Sequence, residues 1–380
     1  MHDCLIIGGG VIGLSLAYEL ARAGQQVRVV DRIQPGREAS WAAAGILPPP
    51  SQAADADPLE RLAALSCRLH PDWAARLQAE TSIDNGFRRC GALYLADESL
   101  LGELATSAKQ WRRGGVTIED LSADAAVRLE PALQPVAASG RLRAGLLVPD
   151  EIQIRSPWNM HALEEACIGR GVEISSDTEV DDFEIVGDQI RAAWTKHGPI
   201  VANTFCITSG AWSGGLLSKL GVHVGIKPIR GQIMLLKTAE PILRRVVYAG
   251  PHYFVPREDG RLLVGSTLED VGFDHRVTSD AVRELLDFAI GWIPELRSAE
   301  MERCWAGLRP ASADGRPYMG RVHGFQNTFV AAGHYRSGLI LAPATAVLMA
   351  QLIRGQQPEF DLSPFALGER GEGRGTRRGE

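Results

Sequence analysis

The chain has 380 residues, 45% hydrophobic and 23% charged, which is the balance of a globular protein with apolar material for two cores rather than of a disordered chain. A formal net charge of -6, with Lys and Arg spread along the chain, leaves no basic stripe for phosphates and argues against a nucleic-acid partner. The absence of an unbroken run of about 18 apolar residues, of a positively charged leader, of any C-x-x-C pair and of a cysteine near a histidine at ligand spacing (the six are Cys4, Cys67, Cys90, Cys167, Cys206 and Cys304) argues against a membrane span, standard export and a structural metal, and fits the cytoplasm.

Residues 4–7 form an apolar run, 8–13 a glycine-rich loop, 14–23 a helix and 27–30 a second apolar run, with Gly24 where a helix C-terminal glycine belongs. Runs this continuously apolar suit parallel strands covered on both faces. Residues 38–45 (EASWAAAG) follow, and Pro48, Pro49 and Pro50 then stop any helix or central strand. Helical patterning covers 59–80 and 98–114 and returns at 158–170, before strand-like segments at 172–175 and 204–208. Between 226 and 267 the period changes to alternation, with Asp259-Gly260 as a hairpin signal. Residues 328–332, Gly333 and an apolar helix over 338–353 repeat the strand-glycine-helix style of the start, whereas 368–380 offers nothing to bury and reads as a disordered tail. The expected architecture is α/β (α+β overall). A Rossmann-type nucleotide-binding domain is drawn from 1–85, 145–220 and 302–365, a second domain with an antiparallel sheet from 86–144 and 221–301, and 366–380 belongs to neither.

Gly8, Gly10 and Gly13 make a G-x-G-x-x-G motif in the right context, between a strand and a helix, with Val11 and Ile12 inside the motif, Asp31 ending the second strand and Arg32 beside it. Gly8 permits the tight turn, Gly10 lets the backbone approach a pyrophosphate, Gly13 lets helix and strand pack closely, and Asp31 would accept hydrogen bonds from a ribose. The motif does not separate FAD from NAD. Two other segments bear on that choice. In residues 38–45 the small side chains of Ala43, Ala44 and Gly45 let the backbone lie against a large flat ring, with Ser40 and Trp41 adding polar contacts, although a short Ala-rich helix explains the segment equally well. In residues 332–338 (AGHYRSG) a helix N-terminus would direct its positive dipole at the oxygen side of a flavin ring.

These motifs, with WAGLRP at 305–310, DGRP at 314–317 and GHYR at 333–336, resemble the D-amino-acid oxidase family of flavoproteins, most of all its glycine oxidase branch of thiamine biosynthesis. The resemblance runs in the same motif order from residue 1 to about 365. It implies a noncovalent FAD, because the covalently flavinylated relatives use a cysteine late in the chain and none lies beyond Cys304 here. It also implies that Val180 contacts the adenine side through its backbone, that Ser209, Gly210 and Trp212 line the cofactor, and that Gly333, His334, Arg336, Ser337, Gly338, Leu339 and Ile340 meet the flavin. Family members are often oligomers, so a homo-oligomer is expected, although no segment shows an interface.

An amino acid at a flavin must be held by its carboxylate, and the planar fork of arginine suits that task. Arg309 in GLRP matches the family's carboxylate-binding arginine, Arg336 a second arginine at the flavin edge, and Tyr253 a tyrosine whose hydroxyl reaches the carboxylate. The chemistry gives no reason to require His252 or His334. The implied reaction is oxidative deamination of glycine or a small D-amino acid by hydride transfer from Cα to flavin N5, without a protein general base. It gives an imine, then an oxo-acid and ammonia, with molecular oxygen as acceptor and hydrogen peroxide as product. An amino-acid or sarcosine dehydrogenase using another acceptor, and a non-catalytic nucleotide-binding protein, fit the same sequence and stay open.

Overall fold

A computed structural model of the chain describes residues 1–368; the expected tail lies outside these from residue 369 onward. The described residues divide into two units, one from residues 1–40, 160–228 and 309–368 and the other from 41–159 and 229–308.

The first unit is built on a twisted sheet. Its parallel strands lie in the order Glu173–Ser175, Val27–Val30, His2–Ile7, Gly198–Ile207 and Thr328–Ala332, and Tyr318–Arg321 is added antiparallel at one edge. The register pairs Ile7 with Val30 on one side and Ile207 on the other, so the central strand ends level with both neighbours. Cys4, Leu5, Ile6 and Ile7 are all buried, as a strand covered on both faces requires. Helix Val11–Arg22 packs against helix Gly338–Ile353, which is buried almost all round from Leu339 to Ala346. The span Tyr335–Ile353 is long and apolar enough by length and composition to cross a membrane, although it holds no unbroken apolar run of that length; its burial within this unit is that of a core helix. Pro343 lies inside this helix, where its ring takes away the N–H that would donate to the carbonyl four residues earlier.

The second unit holds an eight-stranded sheet in the order Glu300–Ala311, Lys227–Lys237, Arg261–Gly265, His252–Pro256, Val246–Ala249, Ala92–Ala96, Ala144–Val148 and Glu119–Leu121. Strands 252–256 and 261–265 form the hairpin that Asp259-Gly260 turns, with Gly260 at φ +77°. The sheet is antiparallel at most of its joins, but Val246–Ala249 pairs with Ala92–Ala96 in parallel, so it is mixed rather than purely antiparallel. Helix Ser279–Trp292 buries Leu285, Ala289 and Trp292 in the apolar cluster of this unit, which contains Phe254, Val264 and Met234.

Residues 41–85, 145–159 and 302–308 fall in this second unit and 221–228 in the first, unlike the division expected from sequence. The reason is a small sheet in which Ile46–Leu47 and Arg88–Arg89 both pair with Ile152–Gln153, tying the proline-rich stretch and its flanks together. The long helix Pro58–Thr81 belongs here as well; Asp57 caps it by accepting from Leu59 N at 2.8 Å.

Candidate active site

The glycine turn of the first unit is set by steric necessity. A Cβ on Gly13 would overlap the Gly8 carbonyl oxygen, and one on Gly8, which has φ +114°, would come within 2.7 Å of the Thr208 and Ser209 backbone. Thr208, missed in the sequence, donates its hydroxyl to Gly8 O at 2.7 Å, and Ser209 donates to Ile7 O at 2.7 Å. Strand Gly198–Ile207 thus braces the turn from the neighbouring position in the sheet. At Gly10 only Ser40 Oγ lies near a hypothetical Cβ, at 3.2 Å, so the approach to the helix N-terminus carries no side chain of its own. Ser40 Oγ accepts from Val11 N at 2.9 Å, while helix geometry leaves the other first-turn N–H groups, at Ile12 and Gly13, without intrahelical acceptors.

Asp31 Oδ2 accepts from Gly9 N at 2.7 Å and Oδ1 from Ile33 N at 3.1 Å, which aims the carboxylate at the glycine turn. Burial raises its pKa above the ordinary value, opposed by those two backbone hydrogen bonds and by Arg32. Arg32 pairs with Glu38 at 2.6 Å and lies over the Trp212 ring. Trp212 closes the short turn Gly210–Trp212, with Gly210 at φ +53°, and Val180 is buried at the start of its strand in the same unit. Glycines, clear helix N-terminus and half-buried acid together fit an adenine dinucleotide, with its pyrophosphate at the turn and its ribose at Asp31.

Gly333, at φ +77°, packs against Tyr318, Ser312 and Ile226. His334 is buried with Nε2 3.2 Å from Thr345 Oγ1, and burial pushes its pKa down to about 3, so its ring is neutral and structural. Tyr335 holds φ +49°, and Ser337 N donates to His334 O at 2.9 Å, forming the turn from which helix Gly338–Ile353 starts with Leu339 and Ile340. An antiparallel bridge joins Ala311 to His334. It brings the strand end bearing the half-buried Arg309 beside the turn bearing Arg336. Arg336 is exposed and makes no ion pair or hydrogen bond among the described residues.

In the second unit, Tyr253 is 8% exposed and its ring lies where a Cβ on Gly265 would stand, 2.7 Å from the ring atoms. Its hydroxyl makes no hydrogen bond among the described residues, unlike those of Tyr94 and Tyr248, which donate to Glu151 at 3.0 and 2.8 Å. A buried ring with an unused hydroxyl suits a ligand contact. Residues 39–42 form the short helix that one reading of EASWAAAG allowed, while Trp41, Ala43, Ala44 and Gly45 belong to the second unit. Trp41 packs edge-on to Trp305 with centroids 5.3 Å apart. Among the described residues no cluster of three or more His, Cys, Asp and Glu is placed to hold a metal ion.

The sequence model for FAD dependent oxidoreductases (DAO) matches residues 3–352. The chain is similar to glycine oxidase from Pseudomonas putida, at 35% identity over 95% of this chain and 97% of that one. It is also similar to the bifunctional protein ThiO/ThiG of Trichormus variabilis, at 32% identity over 96% of this chain and 54% of that one. Among solved structures, the crystal structure of glycine oxidase from Geobacillus kaustophilus superposes with a TM-score of 0.91 at 34% identity, covering 98% of this chain and 99% of that one. With the glycine turn, Asp31 and the parallel sheet already in place, this match over nearly the whole chain shows that the protein belongs to the DAO family of FAD-dependent oxidoreductases.

Proposed function

We propose that the protein oxidises glycine or a small D-amino acid, giving an imine that hydrolyses to the oxo-acid and ammonia, with molecular oxygen reduced to hydrogen peroxide. The observation that carries this reading is the Ala311–His334 bridge, which sets Arg309 and Arg336 on adjoining backbone segments of one unit. Two guanidinium groups so placed can hold a carboxylate by charge-assisted hydrogen bonds. The names of the relatives support glycine as the substrate, and the similarity to ThiO/ThiG supports a supply of product to thiazole synthesis for thiamine.

Noncovalent FAD, when bound, supplies the two-electron acceptor for the hydride that leaves the substrate Cα. The residues of the chain supply orientation: Arg309 and Arg336 take the carboxylate, and the helix N-terminus at Gly338 contributes a positive field. No side chain has to remove the Cα proton, and neutral His334 is not a base here. The test is anaerobic addition of glycine, sarcosine, D-alanine and D-proline to the yellow holoprotein. Bleaching of the visible flavin band by one of them, reversed by air with peroxide formed, is the expected result; bleaching that air does not reverse assigns a dehydrogenase, and no bleaching by any of them removes the small-amino-acid reading.

A further inference from the structure

Arg257, at the end of the hairpin strand in the second unit, is only 5% exposed, yet no carboxylate lies within ion-pair distance of it among the described residues. The acids nearby are already engaged: Asp259 pairs with Arg155 at 2.9 Å and Glu258 pairs with Arg88. Burial, and then the like charges of Arg155 and Arg88, push the Arg257 pKa down to about 10, so it stays a cation at neutral pH. A buried unpaired charge is unfavourable unless hydrogen bonds replace its hydration. Here three neutral oxygens do so. One terminal nitrogen donates to Gln153 Oε1 at 2.7 Å and Ile154 O at 3.2 Å, and the other donates to Ala44 O at 2.8 Å.

The acceptors show what the guanidinium holds. Next to Ala44, Gly45 at φ +85° accepts from Ile154 N at 2.7 Å, and a Cβ there would overlap Ile154 O. Two residues earlier, Ala42 O accepts from Trp305 Nε1 at 3.1 Å. The carbonyls of residues 42, 44 and 45 are therefore fixed by three donors from three distant stretches of chain. Ala43 between them remains half-exposed.

We propose that Arg257 is a positioning residue for the cofactor, fixing the backbone of residues 41–45 in the shape that receives the flavin. The inference rests on the reading that residues 41–45 line the FAD. Lysine cannot replace the fork, because a single ammonium cannot span Ala44 and the 153–154 segment in the same geometry.

The test uses the holoenzymes of the wild type, Arg257→Met, Arg257→Lys and Ala43→Val. Flavin fluorescence released on dilution gives the FAD dissociation constant, and far-UV circular dichroism on heating gives the unfolding temperature. Arg257→Met is expected to raise the dissociation constant at least tenfold, with Arg257→Lys intermediate and with flavin released on heating before secondary structure is lost. If the methionine variant does not fold, the lysine variant carries the measurement. A dissociation constant within twofold of wild type in the folded variant, or flavin release that coincides with unfolding at a lowered temperature, overturns the role of Arg257. Ala43→Val separates the two ideas: an unchanged dissociation constant there overturns the placement of residues 41–45 at the cofactor, whereas weakened binding there with none in the Arg257 variants overturns Arg257 alone.

Discussion

The guanidinium carbon of Arg32 lies 3.5 Å from the centroid of the Trp212 indole ring. The contact joins the residue after Asp31 to the turn that follows strand Gly198–Ile207, and Glu38 holds the same guanidinium from another side. Cation–π contacts of this kind contribute about 0.5–2 kcal/mol, more when shielded from water. A double-mutant cycle of Arg32→Ala and Trp212→Leu, read by urea unfolding, is therefore expected to show a coupling of about 1 kcal/mol. Strict additivity would mean that the two residues do not interact in solution.

Gly10 and Gly13 have different jobs, and alanine separates them. A Cβ on Gly13 overlaps a backbone oxygen, so Gly13→Ala must shift the turn and is expected to destabilise the protein by about 1–3 kcal/mol as well as weaken FAD binding. A Cβ on Gly10 meets only the movable Ser40 hydroxyl, and its φ of -72° suits alanine. Gly10→Ala should keep the wild-type unfolding temperature while reducing the flavin bound per protein, because the methyl group occupies the pyrophosphate approach. Equal flavin content in the wild type and Gly10→Ala would place the pyrophosphate elsewhere.

The sequence discloses the glycine turn because its constraints are local: strand, turn, helix and acid follow one another within 31 residues. The hairpin at Asp259-Gly260 is legible for the same reason. Thr208, Glu151 and Arg257 carry no such signal, since the partners of each are distant in the chain: Thr208 meets Gly8, Glu151 meets Tyr94 and Tyr248, and Arg257 meets Ala44 and Gln153. The boundary near residue 41 was hidden likewise, because the pairing of Ile46–Leu47 with Ile152–Gln153 leaves no periodic mark in strands of two residues. Arg309, Arg336 and Tyr253 are proposed as site residues through family resemblance rather than spacing. What the structure adds is the Ala311–His334 bridge and the unengaged Tyr253 hydroxyl.

If Arg309 binds the substrate carboxylate, Arg309→Ala should stay yellow, because none of the residues assigned to the adenine dinucleotide is removed. Losing a bidentate charge-assisted contact of about 3–4 kcal/mol should lower kcat/KM for glycine by roughly 10²–10³-fold. Arg309→Lys should recover only part of this, since an ammonium cannot match both oxygens. Stopped-flow flavin reduction at wild-type rate and half-saturation in Arg309→Ala would remove this residue from the site.

Glu151 is fully buried, its two oxygens accepting from the stacked pair Tyr94 and Tyr248, whose ring centroids are 4.3 Å apart. Burial raises its pKa to about 7, against the opposite pull of the two tyrosine hydrogen bonds. In the unfolded chain the group titrates near 4.5, so between about pH 4.5 and 7 the folded state holds a proton that the unfolded state has lost. Stability attributable to this residue therefore falls as pH rises through that window, and the full penalty, about 3 kcal/mol, is present above it. Glu151→Gln is neutral throughout and lacks this slope. Urea unfolding at pH 5, 6, 7 and 8 and constant ionic strength should show the variant gaining on the wild type as pH rises, whatever the fixed offset from its altered hydrogen bonding. Parallel pH profiles would mean that Glu151 ionises at its ordinary pKa, with water or a cation reaching a carboxylate that the packing of Tyr94 and Tyr248 encloses.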